Sequence, residues 1–284
     1  MLDRSVSELK APINEPAGGD LSEATPAVLK VHRPALFAAD LHLDGSEPAR
    51  ERLQQLLRVA HSEGADLYLL GDVFHYWFGR KHLALPMFRR EIQLFRAMSS
   101  LGVSITIVPG NRDFLLDEAF TRETGVKVSG DSMLIELGGE RVHLSHGDLF
   151  GLADVRYQRM RRVLHSAPIR RLAASLPAVV VNALARRLRR HSETVVLEKS
   201  PETLAPDRES IAALFSGTSI DVVVCGHFHE ARDEAFPPSE GGGRFRILEP
   251  FEEHGYVLSA SSAGWRERRL GGEADPYPTR TSAP

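Results

Sequence analysis

The sequence is poor in cysteine, in net charge and in long hydrophobic runs, and each shortage excludes a class of protein. Cys225 is the one cysteine among 284 residues, which excludes an internal disulfide and favours a reducing compartment. The formal net charge of −3 argues against a protein whose whole surface binds nucleic acid, so we expect no nucleic-acid partner. The longest weakly polar stretch, residues 172–185, is shorter than the roughly 20 residues needed to cross a bilayer.

What remains is the composition of a soluble globular protein, with 42% hydrophobic and 26% charged residues. Residues 1–33 are rich in Pro, Gly and Ala, contain no apolar stretch typical of a signal peptide, and are predicted to be a mobile tail. Residues 271–284 are predicted to be a flexible C-terminal tail. The predicted domain therefore covers residues 34–270.

Five short polar motifs are the most informative feature of the chain. Charged and imidazole side chains pack poorly in a core, but the carboxyl ends of core strands are where open α/β sheets bind ligands. Each motif closes or directly follows an apolar run that is typical of a buried strand, at residues 35–39, 67–70, 103–108, 142–145 and 221–225. In chain order the motifs are Asp40-Leu41-His42, Gly71-Asp72, Gly110-Asn111-Arg112-Asp113, Ser145-His146-Gly147-Asp148 and Gly226-His227-Phe228-His229.

Strand and helix patterns alternate between the first motifs. Apolar residues recur at helical spacing over 47–63 and 84–100, which predicts a right-handed parallel sheet for the first three strands. Further strands are predicted at 132–137, 141–145, 220–225, 244–249 and 255–261, with a hairpin turn at Gly138-Gly139. We expect an α/β (α+β) fold in which two sheets pack face to face, with helices outside and the motif loops at one edge.

The motifs supply enough oxygen and nitrogen donors for two divalent ions that share a carboxylate. Asp40 and His42 are two positions apart on a predicted extended stretch, so both are expected to point to the same side, and Asp72 can bridge. Two neighbouring ions can clamp a phosphate and activate water. Ligation without thiolate suits Mn²⁺, Fe or Zn²⁺. The predicted ligands are Asp40, His42, Asp72, Asn111, His146, His227 and His229.

The five motifs together resemble those of the calcineurin-like metallophosphoesterases. The resemblance implies a four-layer α/β/β/α sandwich. It also implies that one ion is held by Asp40, His42, Asp72 and His229, and the other by Asp72, Asn111, His146 and His227. In that superfamily a histidine usually follows the asparagine and is often viewed as an acid for the leaving group, whereas this chain has Arg112. Because arginine keeps its proton, this site suits a substrate whose leaving group is already good, such as a phosphate released from a pyrophosphate.

Residues 110–116 and their surroundings resemble one branch of the superfamily, the UDP-2,3-diacylglucosamine hydrolases of lipid A synthesis, from about Leu36 to Lys199. The resemblance implies hydrolysis to UMP and 2,3-diacylglucosamine 1-phosphate, with two divalent ions, for which we favour Mn²⁺. The candidate catalytic residues are Asp72, Asn111, Arg112 and His146. The candidate substrate contacts are Asn111, Arg112, Asp154, Ser192, Lys199 and His227. Val196 stands where the branch usually has asparagine.

Residues 155–192 contain ten arginines and no Asp or Glu, interleaved with leucine and valine. One-sign cationic helices with an apolar face suit an anionic membrane surface or an amphiphilic anionic substrate. By resemblance, residues 153–200 are a helical lid over acyl chains. We therefore expect a cytoplasmic enzyme that is peripheral on the inner membrane. Residues 230–243 are predicted to be a loop peculiar to this chain.

Three alternatives stay open at this point. The same metal site could cleave another phosphodiester or nucleotide-sugar pyrophosphate. The arginine-rich segment could instead bind the phosphate backbone of a nuclease substrate, although Tyr157 is its one residue among Phe, Trp and Tyr that could stack on bases. A scaffold that has lost its metals is the third, and the seven intact ligands argue against it. The oligomeric state is not predicted.

Overall fold

The computed structural model describes residues 28–150 and 205–270, and two six-stranded sheets form its centre. The first sheet has the order β1 (Leu29–Val31), β6 (Ser132–Leu137), β7 (Glu140–Ser145), β8 (Val222–Cys225), β10 (Gly243–Ile247) and β9 (Arg232–Phe236). The second has the order β12 (Gly264–Arg269), β11 (Tyr256–Ser261), β2 (Ala35–Ala38), β3 (Asp66–Leu70), β4 (Ile105–Val108) and β5 (Lys127–Val128). Five helices accompany them in the described residues: α1 (Glu47–Ser62), α2 (Arg89–Ser100), α3 (Glu118–Thr124), α4 (Arg208–Gly217) and α5 (Phe251–His254).

Strands β2, β3 and β4 run parallel at the centre of the second sheet. They read as continuous apolar runs because both of their faces are covered. On β2, Leu36 packs toward the helices, whereas Phe37 packs between the two sheets against Tyr68 of β3. Alternate side chains of β2 thus pack into two separate hydrophobic cores, the helix-side core between the second sheet and its helices and the core between the two sheets.

Helices cover the outer face of each sheet. The first, α1, begins after Ser46, whose hydroxyl accepts a hydrogen bond from the backbone N–H of Ala49, and it buries Leu53 and Leu57 against the second sheet. On the other side, α4 packs Ile211 and Phe215 against the first sheet. The layers therefore run helix, sheet, sheet, helix, and the four-layer sandwich is confirmed.

The predicted strands and the first predicted helix are found with ends shifted by two residues at most. The largest shift is in the second helix, which was predicted from residue 84. Pro86 lacks the N–H that a helix interior needs, and α2 begins only at Arg89, after two short 3₁₀ turns.

The prediction of a loop over residues 230–243 is wrong, because β9 lies there and pairs antiparallel with β10. The charged residues of β9 give the sequence no hydrophobic strand pattern. Asp233 forms an ion pair with Arg244 of β10, and Glu234 forms one with Arg208 of α4. Only Phe236 of this edge strand is buried. A strand whose outward residues are paired charges has little hydrophobic signal.

The predicted N-terminal tail ends too late, since β1 lies inside it and pairs parallel with β6. Residues 1–27, the predicted lid at 153–200 and the predicted C-terminal tail at 271–284 lie outside the described residues. Within residues 28–150 and 205–270, no helix is long and apolar enough to cross a membrane.

Candidate metal centre

The motif loops meet at the carboxyl edge of the strands. The backbone N–H of Asp40 donates to the carbonyl of Gly71 at 3.1 Å, and that of His42 donates to the carbonyl of Asp72 at 2.9 Å. The loop after β2 therefore runs alongside the loop after β3. Between its two ligand residues, Leu41 packs into the helix-side core.

The backbone at Asp40 and His42 is not extended, so the predicted reason for their shared direction is wrong. Their φ angles are 55° and 45°, in the left-handed region that residues with a Cβ rarely adopt. Among the described residues, the non-glycine positions with positive φ are five of the seven predicted ligands: Asp40, His42, Asp72, His227 and His229. Strain of this kind persists only where surrounding structure enforces it, and it is typical of functional sites.

One group of donors gathers around Asp40. Its Oδ1 lies 3.9 Å from Nε2 of His42 and 3.6 Å from Nε2 of His229. The same His42 nitrogen lies 3.5 Å from Oδ2 of Asp72. These four residues are the set predicted for the first ion.

A second group gathers around His146. Its Nε2 lies 3.6 Å from Oδ1 of Asp72, 2.9 Å from Oδ1 of Asn111 and 3.2 Å from Nδ1 of His227. The two oxygens of Asp72 thus face different histidines, as a bridging ligand requires. Asp40 also lies close to this group, since a set of ligand atoms from Asp40, Asp72 and His146 falls within 4.8 Å of one another.

The residues fit a cation at the first group. Oδ1 of Asp40 and Nε2 of His42 are buried, and neither has a hydrogen-bond partner in the described part of the chain. Buried polar atoms without a partner are costly, and a metal ion between the oxygen and the ring nitrogen would satisfy both.

The carboxylates of the centre are ionised although they are buried. Burial raises the pKa of Asp40, but the contact with His229 and the charge of His146 outweigh it and hold that pKa below its ordinary value. Burial also raises the pKa of Asp72, and His146 and His42 again bring it below the ordinary value. Two buried negative charges attract positive charge into the space between them.

The histidines of the centre differ in their electrostatics. Burial lowers the pKa of His42, but contacts with Asp72 and Glu252 raise it to about 9. Burial and the neighbouring His146 lower the pKa of His227 to about 4, so this imidazole is neutral and can donate a lone pair. A pKa of about 9 means that His42 carries a positive charge near neutral pH when no metal is bound.

Asp113 holds the loops of the centre together, a role that the sequence analysis missed. Its fully buried carboxylate accepts hydrogen bonds from the backbone N–H groups of Val73, Phe74 and Gly110, at 2.7, 3.3 and 2.7 Å. The loop after β3 is thereby fixed to the loop after β4. Asp113 is the last residue of the third motif, so the sequence marks its position, but its spacing from the other motif residues does not indicate its function.

The glycines of the motifs make room for ligands from other motifs. A Cβ on Gly110 would lie 2.3 Å from Oδ1 of Asp72, and one on Gly226 would lie 2.5 Å from Oδ2 of Asp40. Both distances are shorter than any van der Waals contact. The spacing of each motif therefore reflects close packing of loops as well as ligation.

Arg112 lies beside the bridging carboxylate. Its backbone N–H donates to Oδ1 of Asp72 at 2.9 Å, and its Nε lies 3.1 Å from Oδ2. The side chain is 34% exposed, so part of the guanidinium is open to a bound molecule. The other predicted substrate contacts, Asp154, Ser192 and Lys199, lie outside the described residues together with Val196.

Comparisons with known proteins find relatives that cover most of the chain. The sequence profile of the family described as calcineurin-like phosphoesterase matches residues 33–231, which include all five motifs. A UDP-2,3-diacylglucosamine hydrolase of Pseudomonas putida is 33% identical over 235 residues, covering 81% of this chain and 96% of that protein. The protein of the same name from Aeromonas hydrophila is 34% identical over 226 residues, covering 78% of this chain and 92% of that one.

Proposed function

The chain belongs to the UDP-2,3-diacylglucosamine hydrolases of the calcineurin-like phosphoesterase family, and on this premise we propose that it hydrolyses the pyrophosphate bond of UDP-2,3-diacylglucosamine. The products are UMP and 2,3-diacylglucosamine 1-phosphate. The observation that supports this reaction most directly is the arrangement around Asp72. The candidate metal donors converge on its carboxylate, and the guanidinium of Arg112 lies beside it, where the superfamily usually has an imidazole.

Two divalent ions fit the donor set. The first would be held by Asp40, His42, Asp72 and His229, and the second by Asp72, Asn111, His146 and His227. When bound, such ions supply an activated water and positive charge for phosphate oxygens. A set of carboxylate, amide and imidazole donors without thiolate is compatible with Mn²⁺, which we propose as the resident metal.

We assign Arg112 the role of stabilising negative charge on the phosphate, and not that of a proton donor. Its Nε contact with Asp72 fixes the plane of the guanidinium next to the metal centre, and its exposed part can grip a phosphate oxygen. Arginine cannot act as a general acid near neutral pH. The leaving group must therefore depart without a proton from this position, as a sugar 1-phosphate displaced by water from the α-phosphorus of the UDP-sugar can do.

The position of attack is testable with labelled water. In H₂¹⁸O and with Mn²⁺ present, we expect the acylated UDP-sugar to release UMP that carries one ¹⁸O and a sugar 1-phosphate that carries none. Mass spectrometry of both products measures this. Label in the sugar 1-phosphate would place the attack on the other phosphorus. UDP-glucose, cyclic nucleotides and bis(p-nitrophenyl) phosphate serve as comparison substrates, and equal turnover of these would defeat the lipid assignment.

We also propose that the enzyme is cytoplasmic and binds the cytoplasmic face of the inner membrane through residues 155–192. The argument is the charge pattern of that segment, because ten arginines without an acidic residue favour an anionic surface. We expect the protein to sediment with vesicles that contain phosphatidylglycerol, to dissociate as salt is raised, and to ignore vesicles of phosphatidylcholine alone.

A paired substitution tests which arginines bind the vesicles. Each basic residue near an anionic surface contributes about 1 kcal/mol, so Arg189→Gln with Arg190→Gln should weaken vesicle binding roughly tenfold or more. Arg89→Gln with Arg90→Gln removes the same charge from two exposed neighbours on α2 and should leave binding unchanged. Equal losses in both double variants would show that the whole surface, rather than this segment, is responsible.

A further inference from the structure

His42 is held from the side opposite the metal centre by an acid far away in sequence. Its Nδ1 lies 2.5 Å from Oε1 of Glu252, which is 210 positions further along the chain. The other ring nitrogen, Nε2, faces Asp40 and Asp72 at 3.9 and 3.5 Å. Nδ1 of the imidazole thus contacts an acid on α5, whereas Nε2 faces the carboxylates of the centre.

We propose that Glu252 is a positioning residue that fixes the tautomer and the orientation of His42 for metal binding. If Nδ1–H donates to Glu252, the lone pair of Nε2 must point at the space between Asp40 and Asp72. A carboxylate behind a metal-binding histidine also makes the imidazole a better electron donor. The inference rests on the proposed metal centre and adds a residue that lies in none of the five motifs.

The backbone of α5 sets the place of Glu252. The N–H of Phe251 donates to the carbonyl of Ala39 at 3.0 Å, and the N–H of Glu252 donates to the carbonyl of Asp40 at 3.2 Å. The side chain of Phe251 is buried in the helix-side core and anchors the turn. The segment that carries Glu252 is therefore hydrogen-bonded directly to the segment that carries His42.

This anchoring distinguishes Glu252 from the acids around it. Glu253 is its neighbour on the same turn and is exposed, and its carboxylate forms no hydrogen bond or ion pair among the described residues. The left-handed backbone of His42 leaves the ring without the support of a regular strand. The contact with Glu252, which lies outside the motif, restrains the ring of His42 to one orientation.

Three variants test the proposal on metal binding rather than on activity alone. Glu252→Ala removes both the acceptor and the charge, and Glu252→Gln keeps an acceptor oxygen without the charge. Glu253→Ala is the matched control. Calorimetric titration of the metal-free proteins with Mn²⁺ should show that Glu252→Ala weakens one of two sites by about 10- to 100-fold, with Glu252→Gln between it and the wild type. The control should bind as the wild type does.

Thermal unfolding of the metal-free proteins separates positioning from folding. We expect the same melting temperature for all four proteins and recovery of most activity in Glu252→Ala at saturating Mn²⁺. Wild-type affinity at both sites in Glu252→Ala and Glu252→Gln would overturn the proposal. So would a lowered melting temperature with unchanged affinity, which would make Glu252 structural. A wild-type protein that binds no Mn²⁺ would instead refute the proposed function.

Discussion

Asp72→Asn is expected to reduce kcat by at least about 10³-fold and to lower the metal content from two ions per chain to one or none. The reason is the position of the carboxylate: Oδ1 lies 3.6 Å from His146, and Oδ2 lies 3.5 Å from His42. An amide nitrogen cannot ligate a cation, so one of the two ions loses a donor. The loss of the bridging charge weakens the other ion as well.

Asparagine is the right replacement because the backbone at this position is left-handed, with φ at 50°. Asn adopts that conformation more readily than most residues, so the loop should keep its shape. Burial and then the charge of Asp72 raise the pKa of Asp113 to about 6, and removing that charge relieves repulsion between buried acids. The attraction of Asp72 to His146, His42 and Arg112 outweighs this repulsion, since it holds the pKa of Asp72 below its ordinary value, so the metal-free variant should unfold at a lower temperature than the wild type, as measured by calorimetry.

Asp66→Asn is the control at the other end of the same strand. Asp66 begins β3 and pairs with Arg33 at 3.9 Å, away from the metal centre. It should leave kcat and the metal content at wild-type values. Full activity and two bound ions in Asp72→Asn would show that this carboxylate does not bridge.

Arg112→Ala is expected to lower kcat/KM on the acylated UDP-sugar by about 10²-fold or more, because charge developing on the phosphate loses a fixed positive partner. Arg112→Lys should recover only part of the loss. An ammonium group cannot contact Oδ2 of Asp72 and a phosphate oxygen with the planar fork of donors that a guanidinium offers. Steady-state kinetics of both variants, with metal content checked, measure the effect.

Arg112→His probes the link between this residue and the choice of substrate. It restores the residue that the superfamily usually has here, and we expect it to lose pyrophosphatase activity. A variant that gains general phosphomonoesterase activity while keeping full pyrophosphatase activity would contradict the assigned role of Arg112.

The fold could be predicted where burial on both faces dominates the sequence. The apolar runs before the first, second, third and fifth motifs become β2, β3, β4 and β8, because strands covered on both sides need continuous hydrophobic residues. The edge strand β9 could not be predicted, since its charged side chains form ion pairs with α4 and β10 and give no continuous apolar run. Such pairs depend on neighbours that only the folded chain brings together.

The candidate site was predictable in its residues but not in its backbone. The motif order correctly predicted that Asp40, His42, Asp72, Asn111 and His146 come together. An extended segment was the wrong explanation for the first pair. Hydrogen bonds from this segment to the loop after β3 hold it in left-handed turns, and those tertiary contacts leave no local sequence signal.

The contact between Glu252 and His42 likewise depends on tertiary structure that the local sequence does not reveal. Glu249, Glu252 and Glu253 are close neighbours, and nothing in the sequence separates them. Only the docking of α5 against the carbonyls of Ala39 and Asp40 brings one of the three to His42.

Anomalous diffraction from crystals grown with Mn²⁺ tests the central claim most directly. Two peaks about 3.5–4 Å apart are expected, one contacting His42 and His229, the other contacting His146 and His227, with Asp72 between them. A single peak, or peaks that Asp72 does not touch, at saturating Mn²⁺ would contradict a dinuclear centre built on these loops.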